Sequence, residues 1–158
     1  MLSWKVLSMV GPDCDGYLFD CTASTEPVLI SACLLGIPCR WHGHRPKKRQ
    51  RLIERLTKRY VLVPVCPEQL GGMPMSRTGK TLEGSGADVL DGKLRIIAPE
   101  TGQDITKFHV NGAKYTLEIA NIVGARRAYL KGGSPSCDRE GVTGEMPKRA
   151  GVKVIRVP

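Results

Sequence analysis

Val28-Leu29-Ile30-Ser31-Ala32-Cys33-Leu34-Leu35-Gly36 decides the fold. Its opening run is short, apolar and β-branched, the pattern of a strand buried on both faces of a parallel sheet. Toward the C-terminus, Pro46 opens an expected helix through about Lys58, with Leu52, Ile53 and Leu56 as its apolar stripe. Tyr60-Val61-Leu62-Val63-Pro64-Val65 follows as a second apolar strand, and its internal proline belongs at an edge or an irregular end. Residues 67–87, rich in Gly, Pro, Ser and Thr, read as a long loop, of a length that in compact domains marks function or mobility. Val89 to Ile96 reads as a small hairpin about Asp91-Gly92. Asp104 is the expected N-cap of a helix to about Val123, with Phe108, Ala113, Leu117 and Ala120 on its inner side and His109 on its surface. Ala128-Tyr129-Leu130 is a third strand before Gly132-Gly133, and the alternation of Val152 to Val157 predicts a last strand at an edge. This order predicts an α/β fold with a mainly parallel sheet flanked by helices and a small hairpin insertion. Residues 1–27 are broken by Gly11-Pro12-Asp13 and Thr22 to Pro27 and read as an N-terminal arm, leaving 28–158 as a single domain.

The 158 residues, 41% hydrophobic and 25% charged, suit one globular domain and exclude wholesale disorder. No apolar run approaches the ~18 residues of a membrane span. The start, with Lys5 and an apolar patch broken at Gly11-Pro12, lacks the small-residue cleavage site of an export signal. The expectation is a cytoplasmic protein with reduced cysteines, so thiolate chemistry or metal ligation ranks above a disulfide framework. The net charge of +9 is concentrated in Arg40 to Arg59, which carry nine basic residues against Glu54 alone. Such a segment attracts phosphate backbones, RNA among them, or forms only a solvated helix face; no stacking motif accompanies it.

Three of the six cysteines share one structural position. Cys33 follows the first strand, Cys66 the second, and Cys137 lies just beyond the third. Parallel neighbours would gather all three thiols at the carboxyl edge of the sheet, where open α/β sheets place their ligands. Structural zinc takes four ligands and catalytic zinc three plus water, whereas an iron–sulfur cubane commonly takes four cysteines. Three cysteines on a cubane leave one iron open, the vacancy a Lewis-acid catalyst needs. Cys39 is an alternative fourth ligand, and small buried hydrophobes at strand ends are the plainer interpretation of all these thiols. Cys14 and Cys21, in the arm, read as incidental.

Ser31-Ala32-Cys33-Leu34-Leu35-Gly36, Val63-Pro64-Val65-Cys66-Pro67-Glu68 with Gly71-Gly72, and Ser134-Pro135-Ser136-Cys137 resemble the three signature blocks of a bacterial and archaeal family. That family, long a domain of unknown function, includes the thiouracil desulfidases. Gly102 to Thr106, Phe108 and Gly112-Ala113 are similar to its connecting segment. The resemblance implies a Rossmann-like fold that holds a [4Fe–4S] cluster by Cys33, Cys66 and Cys137, with one iron not ligated by protein. It implies non-redox, hydrolytic desulfidation of a thiolated nucleobase, nucleoside or similar thiocarbonyl compound, releasing hydrosulfide. Glu68 and Ser134 would then be the catalytic residues, Glu68 accepting a proton from water and Ser134 positioning the substrate or donating to it. Two features depart from the family pattern: Asp138-Arg139-Glu140 shortens the stretch after the third cysteine, and the arm has no counterpart.

Other residues are weaker candidates. His42 and His44 flank Gly43 near the first cysteine block, and Arg77 sits in the long loop. Gly79-Lys80-Thr81 imitates the end of a phosphate loop, but Met75 stands where the required glycine would be. Two further functions compete with desulfidation: a cysteine persulfide sulfurtransferase or carrier, and a basic RNA-associated module with a structural metal site.

Overall fold

The computed structural model describes residues 26–74 and 83–158. Four strands form one all-parallel sheet: β1 (Pro27–Ser31), β2 (Val61–Val65), β3 (Arg127–Lys131) and β4 (Lys153–Val157), in the order β2-β1-β3-β4. The α/β fold read from the apolar runs is the fold observed. Val28, Leu29 and Ile30 of β1 and Ala128 and Leu130 of β3 are completely buried, as the two central strands must be when helices cover both faces. Pro64 lies in β2, an edge strand, where a missing backbone N–H costs no ladder bond on the outer side. The sheet begins within the expected arm: Pro27 opens β1, the Glu26 carbonyl accepts from the Val61 N–H at 3.0 Å, and the Glu26 carboxylate pairs with Arg127. The remainder of the arm, with Cys14 and Cys21, lies outside the described residues.

Successive β1 side chains pack in opposite directions. Ile30 joins Leu34, Leu56 and Val157 beneath α1 (Gln50–Thr57), and Leu29 joins Val65, Ala120 and Leu130 beneath α4 (Thr106–Val123). Helix α1 starts four residues after Pro46, because the Arg49 N–H is held by the Leu34 carbonyl at 2.9 Å. Asp104 caps α4 from one position before its Ile105 N-cap, accepting from the Thr106 N–H at 2.9 Å. The inward stripe of α4 is His109, Gly112, Ala113, Thr116 and Ala120, so His109, expected on the surface, is instead fully buried.

Two segments depart from expectation. The hairpin about Asp91-Gly92 is not formed. Ser85 and Asp88 make a reciprocal capping box that starts α3 (Gly86–Leu90), and Gly92, at φ 72°, follows the turn that ends it. A short antiparallel bridge lies further on, between Ile97 and Asp104. The stretch before β4, where no helix was expected, also forms one, α5 (Val142–Arg149), whose Gly144 and Pro147 are buried in its packed face.

Within the expected loop of residues 67–87, α2 (Pro67–Leu70) forms directly after Cys66 and crosses α4 at backbone contact. A Cβ on Gly112 would lie 1.9 Å from the Pro67 carbonyl oxygen, and one on Gly71 1.9 Å from that of Phe108. Neither backbone can yield by rotating a side chain. Gly112→Ala is therefore expected to cost ~3 kcal/mol or more, a fall of roughly 6–12 °C in Tm by thermal unfolding. Because α2 carries Glu68, the same variant should also displace that carboxylate.

Candidate active site

The parallel order places the carboxyl ends of β1, β2 and β3 side by side, and each delivers one thiol to the same cavity. Cys33 sits in a 3-10 turn (Ala32–Leu35) directly after β1, Cys66 is the N-cap residue of α2 directly after β2, and Cys137 follows β3 in the loop before α5. All three line a cavity of about 410 Å³, joined by Cys39, Glu68 and Ser134. Cys33, Cys39 and Cys137 are buried and Cys66 is half-buried, with no disulfide among the four described cysteines. Among the described residues, no three His, Cys, Asp or Glu side chains converge tightly enough to hold a single metal ion; the thiols stand around the cavity wall instead.

Cys39 lies against the first two thiols. Cys33 is pulled down to about 6, chiefly by its hydrogen bond with Cys39, with the Arg40 guanidinium and the Lys131 ammonium adding to that effect and burial opposing it. Cys39 keeps its proton: hydrogen bonds with Cys33 and Cys66, together with burial, push it far up. The Cys66 thiol also donates to the Cys39 carbonyl at 3.6 Å. Burial pushes the Cys137 thiol well up, and the nearby negative charge of Glu68 adds to the shift.

Both catalytic candidates line the cavity. Glu68 is buried at the start of α2, one residue after the Pro67 that opens the helix. Ser134 Oγ accepts from the Cys137 N–H at 3.1 Å and the Ser136 N–H at 3.3 Å, which fixes the turn that carries Cys137 and leaves the hydroxyl hydrogen to donate elsewhere. His42 lines the cavity, whereas His44 stacks on His42 from outside the cavity wall. Buried His109 is absent from that wall, and Arg77 and Lys80 lie outside the described residues.

Three contributors escaped the sequence. Arg40 read only as one charge of a basic run and Lys131, between the third strand and Gly132, had no reading, yet both stand in the cavity wall beside Cys33. The signal for Arg40 was its place next to Cys39; that for Lys131 was its place before Gly132-Gly133. Asp138 read as a shortening of the pocket. Its carboxylate accepts from the Gly133 N–H, from the Arg139 N–H at 2.6 Å and from Arg156 Nε at 3.0 Å, while its own N–H donates to the Ser134 carbonyl at 3.0 Å. The loop carrying Ser134 and Cys137 is thus closed on itself and tied to β4. Asp138→Ala should cost about 1–3 kcal/mol in urea unfolding, since it strands several donors at once.

Residues 28–154 match the family profile described as 2-thiouracil desulfurase. The uncharacterized protein YbbK of Bacillus subtilis (strain 168) is 34% identical over 144 residues, an alignment covering 81% of this chain and 93% of that protein. The solved structure of a [4Fe-4S]-dependent thiouracil desulfidase, TudS, is similar with a TM-score of 0.67 at 27% identity, covering 84% of this chain and 91% of that one.

Proposed function

The chain belongs to the 2-thiouracil desulfurase family, and on that premise we propose that it is a [4Fe–4S]-dependent desulfidase that hydrolyses the C=S bond of a thiolated pyrimidine base or nucleoside, releasing hydrosulfide. The observation that carries this reading is the gathering of Cys33, Cys66 and Cys137, from three separate strand ends, around one cavity that also holds Glu68 and Ser134. The donor set suits the group. A cubane takes each thiolate on a different iron, so its ligands stand further apart than those of a single ion, and the cations of Arg40 and Lys131 offset an anionic thiolate-bound cluster.

When held by Cys33, Cys66 and Cys137, the cluster supplies a thiophilic iron with no protein ligand, a soft Lewis acid suited to a thiocarbonyl sulfur. Everything else falls to the chain. Glu68 takes a proton from the attacking water, whose oxygen becomes the new carbonyl oxygen. Ser134 donates a hydrogen bond to the ring and orients it. Arg40 and Lys131 favour the departing hydrosulfide. Water adds, sulfide leaves, and no electron changes hands. A thiolated base carried in RNA is a second substrate form, favoured by the exposed Lys47, Lys48 and Arg49 that follow the cavity-wall Arg40 in the chain. Among the described residues no helix is long and apolar enough to cross a membrane.

The test is anaerobic reconstitution followed by iron, sulfide and turnover measurements. The reading expects about four irons per chain, hydrosulfide released from 2- or 4-thiouracil, and ¹⁸O from water in the uracil formed. A well-folded protein that takes up no iron yet still passes sulfur to an acceptor thiol would make it a sulfurtransferase instead.

A further inference from the structure

Trp41 is an unusual residue for the rim of a polar thiol-lined cavity. Half of its surface is exposed, 50% by area, and among the described residues it is one of the two aromatic side chains of the cavity wall. The other is His42, which stands nearly perpendicular to it, at 74° with ring centroids 5.2 Å apart. His42 is itself held in place. Its Nδ1 accepts the His44 N–H at 3.0 Å, and the His44 ring stacks on it at 5.2 Å and 28°. Gly43, at φ 70°, gives the turn its left-handed step, and its N–H donates to the Arg40 carbonyl at 2.9 Å. An indole that is exposed and yet braced on one side is a preorganised flat surface, with little orientation left to freeze when a second ring arrives.

We infer that Trp41, braced by His42, is the surface on which the heteroaromatic ring of the substrate stacks. The inference rests on the desulfidase reading for the identity of the ring, a pyrimidine. Stacking on an aromatic side chain recognises the π-face and is indifferent to which exocyclic atom is sulfur or oxygen. Trp41 therefore sets affinity for base and product alike, while Glu68 and Ser134 discriminate the reacting bond. His42 is a positioning residue that acts through Trp41.

The experiment compares iron-loaded wild type, Trp41→Ala, Trp41→Phe and His42→Ala, titrated calorimetrically with uracil and with dihydrouracil, the non-planar analogue with the same polar groups. Sulfide release from thiouracil is measured in parallel. Wild type should prefer uracil to dihydrouracil. Trp41→Ala should weaken uracil binding by about 5- to 100-fold and erase that preference, Trp41→Phe should restore most of both, and KM should change more than kcat. His42→Ala should fall between wild type and Trp41→Ala. Unchanged uracil affinity in Trp41→Ala, a preference that survives it, or a wild type that binds no pyrimidine would overturn the inference. A wild type that shows the stacking signature but releases no sulfide would leave the stacking surface standing and remove the desulfidase reading.

Discussion

Replacing Cys33, Cys66 or Cys137 by alanine, one at a time, is expected to empty the chain of iron, from about four atoms per chain to near zero after identical anaerobic reconstitution. The reason is geometric. Each thiol comes from a different strand end, the neighbouring Cys39 is engaged by its hydrogen bonds with Cys33 and Cys66, and the two remaining thiolates close no cage. The variants should remain folded, because each substitution removes one sulfur, buried at Cys33 and Cys137 and half-buried at Cys66, from a small side chain at the edge of the core. Thermal unfolding provides a second readout: loading should raise the Tm of wild type, since a cofactor bound only by the native state stabilises it, and should leave the variants unmoved. Cys39→Ser is the informative control. Cys39 is as buried as the others but acts as the hydrogen-bond partner of Cys33 and Cys66, so its variant should keep the iron. Iron retained in Cys137→Ala but lost in Cys39→Ser would exchange their roles.

Glu68→Gln should leave iron content intact and lower kcat by about 10²- to 10⁴-fold. The amide preserves the volume of a buried side chain and the start of α2, and it removes only the capacity to accept a proton. Ser134→Ala is a less clean probe. The Ser134 oxygen also caps the Ser136 and Cys137 N–H groups, so its loss should loosen the third thiol as well as the substrate contact. A Glu68→Gln enzyme with full turnover would remove the carboxylate from the mechanism.

Much of the architecture was legible because central parallel strands leave an unmistakable trace. Val28 to Ile30 and Ala128 to Leu130 are apolar since both faces of the sheet are covered, and that requirement appears in the residues themselves. The thiols were legible for a related reason: a cysteine directly after such a strand has its place set by the sheet. Helix α5 was not legible, because Gly144 and Pro147 serve contacts that local propensity does not encode. A Cβ on Gly144 would lie 2.0 Å from the Asp138 carbonyl oxygen. The hairpin reading gave Asp91-Gly92 a turn between strands, whereas the capping box of Ser85 and Asp88 had already committed the chain to a helix. His109 was placed outside although the expected stripe of α4 shares Ala113 and Ala120 with the observed one, and the close crossing of α2 shows which side is covered. Lys131 gains its role from Cys33, far away in sequence, where no local pattern reaches, and Arg40 from the fold of its own segment back beside Cys33.

The strand order has a consequence for how the protein is made. Strand β3 inserts beside β1, and Lys131 N–H bonds to Ser31 Oγ at 3.0 Å across 100 residues of chain. A nascent polypeptide that has already exposed Cys33 and Cys66 to the cell still lacks the strand that brings the third thiol. The two early cysteines must wait, unliganded, through the synthesis of most of the remaining chain. If Cys33, Cys66 and Cys137 hold the cluster as proposed, its insertion is a late event that follows long-range strand pairing, itself a slow class of folding step. During that interval reactive thiols are at their most vulnerable to oxidation, so the yield of working enzyme should depend on how reducing the surroundings are while residues 67–137 are being synthesised.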